Sequence, residues 1–338
     1  MILGCAGTAL TADERKFFAD TNPLGLILFK RNCEEPAQIR SLIAAFRQTV
    51  GRPDAPILID QEGGRVARLV PPHWRAYPPA GAVAALYTQD AEAGRRAAYL
   101  SGRLIGDDLQ DLGITVDCAP VADLRIDGAH EIVGDRSYGE TVADAVVLCS
   151  AVSAGLLDSG VLPIIKHIPG HGRASVDSHL DLPIVDTDLT ELDETDFAVF
   201  RGLRDVPWAM TAHIRYTVLD DQLPCTLSET VITEIIREKI GFDGVLVSDD
   251  LSMKALGGEM QSRAADAIRA GCDIALHCNG DMKEMVAVAG GTPHITETAF
   301  ARLKRGETQR LQALGPVPDR AAFDPELDAL LAPIQALA

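Results

Sequence analysis

The chain has 338 residues, 47 % of them hydrophobic and 24 % charged, with 29 glycines and 19 prolines; this is the composition of a globular chain that can bury a large core, and disorder is not indicated. Forty-nine acidic residues against 31 lysines and arginines give a formal charge of −18, which repels phosphate backbones and anionic lipid and so excludes nucleic acid and membrane surfaces as partners. The length admits one large α/β barrel or two ordinary domains, and a neutral substrate fits the charge better than an anionic one.

Eight short aliphatic runs recur along the chain and alternate with helical segments: Ile2-Leu3-Gly4, Leu24 to Phe29, Pro56 to Asp60, Ile114 to Ala119, Leu162 to Lys166, Trp208 to His213, Val245 to Asp249, and Cys272 to His277. Intervening helices stop at Gly51, Gly113, Gly160, Gly241 and Gly271, just ahead of the next run, because glycine accepts the left-handed conformation that closes a helix. Thr11-Ala-Asp-Glu14 has capping-box spacing, and Asp90 and Ser228 are predicted N-caps. Eight parallel strands with crossover helices predict a single-domain (β/α)8 barrel of the TIM type over residues 1–338, and neither glycine-rich phosphate-loop pattern of the open α/β folds occurs. A helical tail from about residue 296, interrupted at Gly315-Pro-Val-Pro318, is expected to pack on the barrel exterior.

Seven scattered cysteines, odd in number and without C-x-x-C spacing, read as buried thiols in a reducing compartment. Met1-Ile-Leu-Gly-Cys5 has no basic region or long apolar segment before it, so lipidation is not expected. No stretch approaches the ~20 apolar residues that span a bilayer, and a cytoplasmic, monomeric protein is expected.

In a barrel of this kind the chemistry sits at the C-terminal ends of the strands, where the polar residues concentrate here. Run three ends in Asp60-Gln61-Glu62-Gly63-Gly64-Arg65, run five in Lys166-His167 followed by His171, run six in His213 and run seven in Ser248-Asp249-Asp250. Alternation along run seven predicts that Asp249 faces the barrel axis while Asp250 points away and caps the next helix. A carboxylate in the position of Asp249 can attack an anomeric carbon. Asp177 and His179 lie two apart in a loop, so the carboxylate can hold one imidazole nitrogen and leave the other to exchange protons near neutrality.

Pro169, Gly170 and Gly172 break any helix, so His167 and His171 are not a helical metal pair, and no zinc-site spacing is present; neither metal nor cofactor is expected. His167, His171, His179 and Asp249 nevertheless keep a metal-dependent barrel hydrolase open as an alternative. Arg65, Arg68 and Arg136 add donors near the same rim, either for hydroxyls and amide carbonyls or as structural ion pairs. Aromatic residues make up only 5 %, which suggests a short pocket for one sugar.

Seven segments together resemble glycoside hydrolase family 3, specifically its single-domain bacterial β-N-acetylhexosaminidases of the NagZ type. They are Gly25 to Asn32, Ile59 to Arg68, Gly134 to Ser137, Lys166 to Gly172, Asp177 to His179, Met210 to His213 and Gly241 to Met253. The resemblance implies a retaining enzyme that removes β-linked N-acetylglucosamine, with Asp249 as nucleophile, His179 as general acid/base and Asp177 as its partner. It further implies Asp60, Arg68, Arg136, Lys166 and His167 as sugar contacts. The substrates it implies are small amino-sugar compounds, namely N-acetylglucosaminyl-1,6-anhydromuramyl (peptide) fragments in cell-wall recycling. Phosphorolysis and substrate-assisted cleavage are the near rivals. Ile168 and Thr211 stand where the family often has an aromatic residue and proline, which bears on pocket shape.

Overall fold

The computed structural model describes residues 1–128, 130–174, 176, 178, 181–316 and 319–335. Ten strands occur among them: β1 (Ile2–Leu3), β2 (Gly25–Leu28), β3 (Ile57–Ile59), β4 (Val116–Asp117), β5 (Leu162–Ile168), β6 (Ile184–Val185), β7 (Trp208–Thr211), β8 (Arg215–Tyr216), β9 (Val245–Asp250) and β10 (Ile274–His277). Eight of them close a parallel barrel in the order β1-β10-β9-β7-β5-β4-β3-β2, the (β/α)8 architecture. β6 and β8 form a separate two-stranded parallel pair that the aliphatic runs did not predict.

Side chains along a strand alternate between faces, and both faces of this sheet are buried, so the strands read as unbroken apolar runs. Ile27, Leu58, Val116, Ile164, Met210 and Val247 fill the barrel. Their neighbours Leu26, Ile57, Ile59, Ile165, Ala209 and Leu246 pack outward against the helices.

Local signals act as their chemistry requires. The Thr11 hydroxyl accepts from the Glu14 N–H at 3.1 Å while the Glu14 carboxylate accepts from the Thr11 N–H at 2.7 Å, closing the capping box. Asp90 caps the helix Ala91–Leu112, and the Ser228 hydroxyl accepts from the Val231 N–H at 3.2 Å. Gly51, Gly113 and Gly271 terminate their helices in the left-handed region; Gly160 and Gly241, also at positive φ, stand one residue past the cap.

The helices Glu297–Ala313 and Arg320–Gln335 follow the last barrel units. Leu327 and Leu331 of the second are buried in the outer core, and Glu326 takes both arms of Arg96 at 2.8 Å. All seven cysteines are unpaired and all but Cys33 are buried. No helix among the described residues is long and apolar enough to cross a membrane.

Candidate active site

Because Leu58, Ile164 and Val247 point into the barrel, the residues two further on reach the top of its interior, and these are Asp60, Lys166 and Asp249. All three border a cavity of about 290 Å³ at the C-terminal end of the strands. It lies at the small end of ligand pockets, which run ~300–1,000 Å³, and has room for one sugar ring. β3 and β9 are four strands apart in either direction round the barrel, so Asp60 and Asp249 stand on opposite walls.

The Asp60 wall carries a buried charge network. Lys166 Nζ donates to Asp60 Oδ1 at 2.9 Å and pairs with Glu62 Oε1 at 2.6 Å. Arg136 donates to both Glu62 oxygens at 2.8 Å, and Arg68 donates to Asp60 Oδ2 at 3.2 Å while its guanidinium lies 4.9 Å from the centre of the Phe29 ring. Burial alone would raise the pKa of Asp60, but Lys166 and Arg68 outweigh it and hold the carboxyl below its ordinary value. Burial likewise works against the charges on Lys166 and Arg136, yet the two carboxylates keep both cations protonated, above their usual values. The network presents fixed donors and spare carboxylate lone pairs, a set suited to hydroxyl groups.

Regular alternation would turn His167 away from Lys166. The register between β5 and β7 shifts at this point, with Lys166 opposite Met210 and Ile168 opposite Thr211, and both Lys166 and His167 border the cavity. Asp123 orients His167: its Oδ2 lies 2.7 Å from His167 Nδ1, and its Oδ1 accepts the backbone N–H groups of His167 and His171 at 3.1 and 2.6 Å. Burial pushes the Asp123 pKa up, but His167 and His171 bring it below the usual range, so this carboxylate accepts and His167 Nδ1 carries the proton.

His171 is held by a tight approach of its loop, since a Cβ on Gly172 would sit 2.1 Å from the Leu124 carbonyl oxygen. Burial, and then His167 at 5.3 Å between ring centres, pushes the His171 imidazole down to about 4, so it is neutral at pH 7. Its Nε2 lies 3.1 Å from the hydroxyl of Ser178, whose carbonyl accepts from the Ala255 N–H at 3.2 Å. Ser178 itself borders the cavity. Asp177 and His179 lie outside the described residues.

Across the cavity, the Asp249 N–H donates to Thr211 Oγ1 at 3.3 Å and Asp249 Oδ1 accepts from the Asp250 N–H at 2.8 Å. Asp250 is committed to its own turn: Oδ1 accepts from the N–H groups of Ser252 and Cys278 at 3.0 and 3.1 Å, and Oδ2 from the Ser252 hydroxyl at 2.7 Å. It caps a turn rather than a helix, and it borders the cavity beside Asp249.

The structure sorts the remaining rim residues. His213, grouped with the rim, is fully buried and does not border the cavity. Arg65 borders the cavity as expected and takes the second of its two readings, a half-exposed structural pair at 2.9 Å from Asp135 that is also bonded to the carbonyls of Glu131 and Ile132. Glu62 and Asp123, which hold the cationic and imidazole groups, were not singled out; the Asp60-x-Glu62 spacing on one strand end was the available sign of the first. Among the described residues no three His, Cys, Asp or Glu side chains cluster as a metal set.

A larger cavity, about 680 Å³, opens at the opposite end of the barrel beside residues that precede β1, β2 and β10. Its arginines are already used: Arg52 binds Asn22 and the carbonyls of Pro23 and Leu24, and Arg302 binds Asp243 and Asp273. Among the described residues, no buried side-chain polar atom left without a partner lines it, so the smaller cavity, where charged groups converge, is the candidate site.

A carboxylate facing a wall of paired cations and carboxylates across a sugar-sized hollow, at the C-terminal mouth of a parallel barrel, defines the class as a barrel glycoside hydrolase. The chain belongs to glycosyl hydrolase family 3, whose N-terminal domain profile matches residues 3–312. It is 36 % identical over 318 residues to a β-hexosaminidase of Methylococcus capsulatus, covering 91 % of this chain and 89 % of the relative. A β-hexosaminidase of Alkalilimnicola ehrlichii is 37 % identical over 283 residues, 82 % of this chain and 80 % of the relative. The crystal structure of NagZ from Neisseria gonorrhoeae in complex with N-trifluoroacetyl-D-glucosamine superposes with a TM-score of 0.84 at 30 % identity, covering all of this chain and 97 % of that one.

Proposed function

We propose that this glycoside hydrolase is a retaining β-N-acetylhexosaminidase that releases β-linked N-acetylglucosamine through a covalent intermediate on Asp249. The observation that carries the reading is the placement of Asp249 opposite the Asp60–Lys166 pair around one sugar-sized cavity. β-Hexosaminidase relatives and a NagZ neighbour crystallised with an N-acylated glucosamine support the choice of sugar.

In the first step an Asp249 oxygen bonds to the anomeric carbon as the glycosidic bond breaks, and His179 gives its proton to the departing oxygen. In the second, His179 takes a proton from water, the water oxygen bonds to the anomeric carbon and the Asp249 ester opens, so the configuration is retained. Asp177 fixes the His179 tautomer. The register of Ser178, which lies between them and borders the cavity, supports a loop contribution to the site. Asp60, Arg68, Arg136, Lys166 and His167 hold the sugar. We place the natural substrates among the N-acetylglucosaminyl-1,6-anhydromuramyl fragments of cell-wall recycling, handled by a cytoplasmic monomer.

Turnover of a chromogenic β-N-acetylglucosaminide by the native protein, Asp249→Ala and His179→Ala tests the assignment. With a good leaving group Asp249→Ala is the more damaged, because departure then needs little protonation. A fluorinated-sugar label on any residue other than Asp249 overturns the reading, and rates that require phosphate replace hydrolysis by phosphorolysis.

A further inference from the structure

The segment Met210-Thr-Ala-His213 supplies polar groups that the sugar site does not use. Thr211, His213 and Thr226 are all fully buried, and none borders the cavity. His213 Nε2 lies 3.0 Å from the Asp250 carbonyl oxygen and Nδ1 lies 2.7 Å from Thr226 Oγ1. Thr226 Oγ1 in turn lies 2.8 Å from Thr211 Oγ1, which meets the Asp249 N–H at 3.3 Å.

The two ends, together with a neutral imidazole, fix the direction of every hydrogen bond between them. A peptide carbonyl only accepts, so His213 Nε2 carries a proton; a peptide N–H only donates, so Thr211 Oγ1 accepts from Asp249. Burial, the largest influence on His213, lowers its pKa and leaves the ring neutral, with Nδ1 a lone pair. Thr226 therefore gives its one hydroxyl proton to Nδ1, in preference to the Ala212 carbonyl at 3.1 Å, and Thr211 gives its own to Thr226.

We infer that His213, Thr226 and Thr211 are positioning residues that clamp the Asp249–Asp250 backbone by a one-way chain of hydrogen bonds running from the Asp249 N–H to the Asp250 carbonyl. The chain grips the peptide groups on either side of the Asp249–Asp250 link, and that link's own N–H holds Asp249 Oδ1. Orientation of this backbone therefore passes directly to the carboxylate. The inference rests on Asp249 being the attacking group.

Thr226→Val removes the hydroxyl and keeps the shape, and Thr226→Ser restores the hydroxyl. A displaced reacting group loses rate steeply, so Thr226→Val is expected to lower kcat ~10- to 100-fold with KM within ~2-fold, and Thr226→Ser to recover to within ~3-fold of the native rate. Calorimetric affinity for N-acetylglucosamine is expected to be unchanged in both, because the sugar contacts come from other strands. A native kcat in Thr226→Val, a loss that serine does not recover, or equal losses in kcat and sugar affinity overturns the clamp. Should Thr226→Val fail to fold, Thr211→Val with Thr211→Ser puts the same comparison at the second hydroxyl. Asp249→Ala separates the two readings: retained turnover there removes the nucleophile assignment, whereas an inactive Asp249→Ala beside a fully active Thr226→Val removes only the clamp.

Discussion

Glu62→Gln removes one negative charge from a buried site and alters little in shape. The two Glu62 oxygens accept from Arg136 at 2.8 Å each, Oε1 also pairs with Lys166 at 2.6 Å, and the side chain is 7 % exposed. Glutamine keeps one acceptor oxygen but turns an NH2 donor toward one of the two cations. The five charges of the wall, Asp60 and Glu62 against Arg68, Arg136 and Lys166, then sum to +2 instead of +1. Removing one partner of a buried ion pair costs ~3–5 kcal/mol, and with half the contacts retained the expected loss is ~2–4 kcal/mol. Urea unfolding at pH 7, followed through the buried Trp208, measures it. The pH dependence has a definite sign. Burial would raise the Glu62 pKa, but Lys166 and Arg136 hold it well below the ordinary 4.5. A depressed carboxyl contributes stability that is complete above the unfolded value and fades as the pH falls toward the folded one. The gap between native protein and variant should thus be constant from pH 7 to about 5 and narrow below about 4.5. A gap under ~0.5 kcal/mol at pH 7, or one that widens on acidification, refutes the reasoning.

Three further outcomes are expected. Asp60→Asn should raise KM ~10- to 100-fold with a smaller effect on kcat, since it weakens charge-assisted contacts made before the reaction; steady-state kinetics with a chromogenic β-N-acetylglucosaminide checks the split. His171 is held at about 4 against an ordinary 6.5, so between those values the unfolded chain takes up a proton that the folded one does not. Stability should fall as the pH drops through this window, by about 3 kcal/mol in all, and His171→Gln should lose that slope in urea midpoints taken at several pH values. Leu327→Ala, at a fully buried position on the last helix, should cost ~2–5 kcal/mol and lower the melting temperature while leaving kcat unchanged.

The barrel was legible because each strand is buried on both faces and so appears as an aliphatic run that needs no partner to be recognised. The run Ile114 to Ala119 contains the short strand Val116–Asp117, and Thr115, Cys118 and Ala119 on either side of it also bond to the backbones of β3 and β5 or the residues flanking them. β6 and β8 were invisible because, unlike the equally short β1 and β4, these two-residue strands lie outside any aliphatic run and are too short to carry a period. Polar residues at strand ends marked the rim correctly for Asp60, Lys166 and Asp249, whose parity follows from the apolar residue two positions before. His213 misled the same reasoning, since Met210 points inward and the parity of residue 213 is therefore outward. His167 escaped parity altogether through the register shift beside it. Asp123 and Glu62 have meaning only through distant partners, His167 being 44 residues from the first and Arg136 74 residues from the second. Thr226 likewise depends on His213 and Thr211, and one sequence holds no distances between such groups.

The supporting carboxylates explain how cationic groups can share a cavity with the proposed reaction. Positive charge develops at the anomeric carbon in an oxocarbenium-like transition state, so a bare Lys166 and Arg136 nearby would oppose it. Asp60 and Glu62 reduce the wall from +3 to +1 while leaving N–H donors directed at the hollow, and Asp249 on the opposite wall brings the sum of these six groups to zero. In the proposed reaction, hydroxyl recognition and tolerance of a developing cation are in this way separated: the donor groups lie on the side of β3 and β5, and the carboxylate of Asp249 lies on the side of β9. Glu62 is then as much a condition of the chemistry as of the fold, and a variant that keeps its shape but loses its charge should slow the step in which the oxocarbenium develops as well as weaken the barrel.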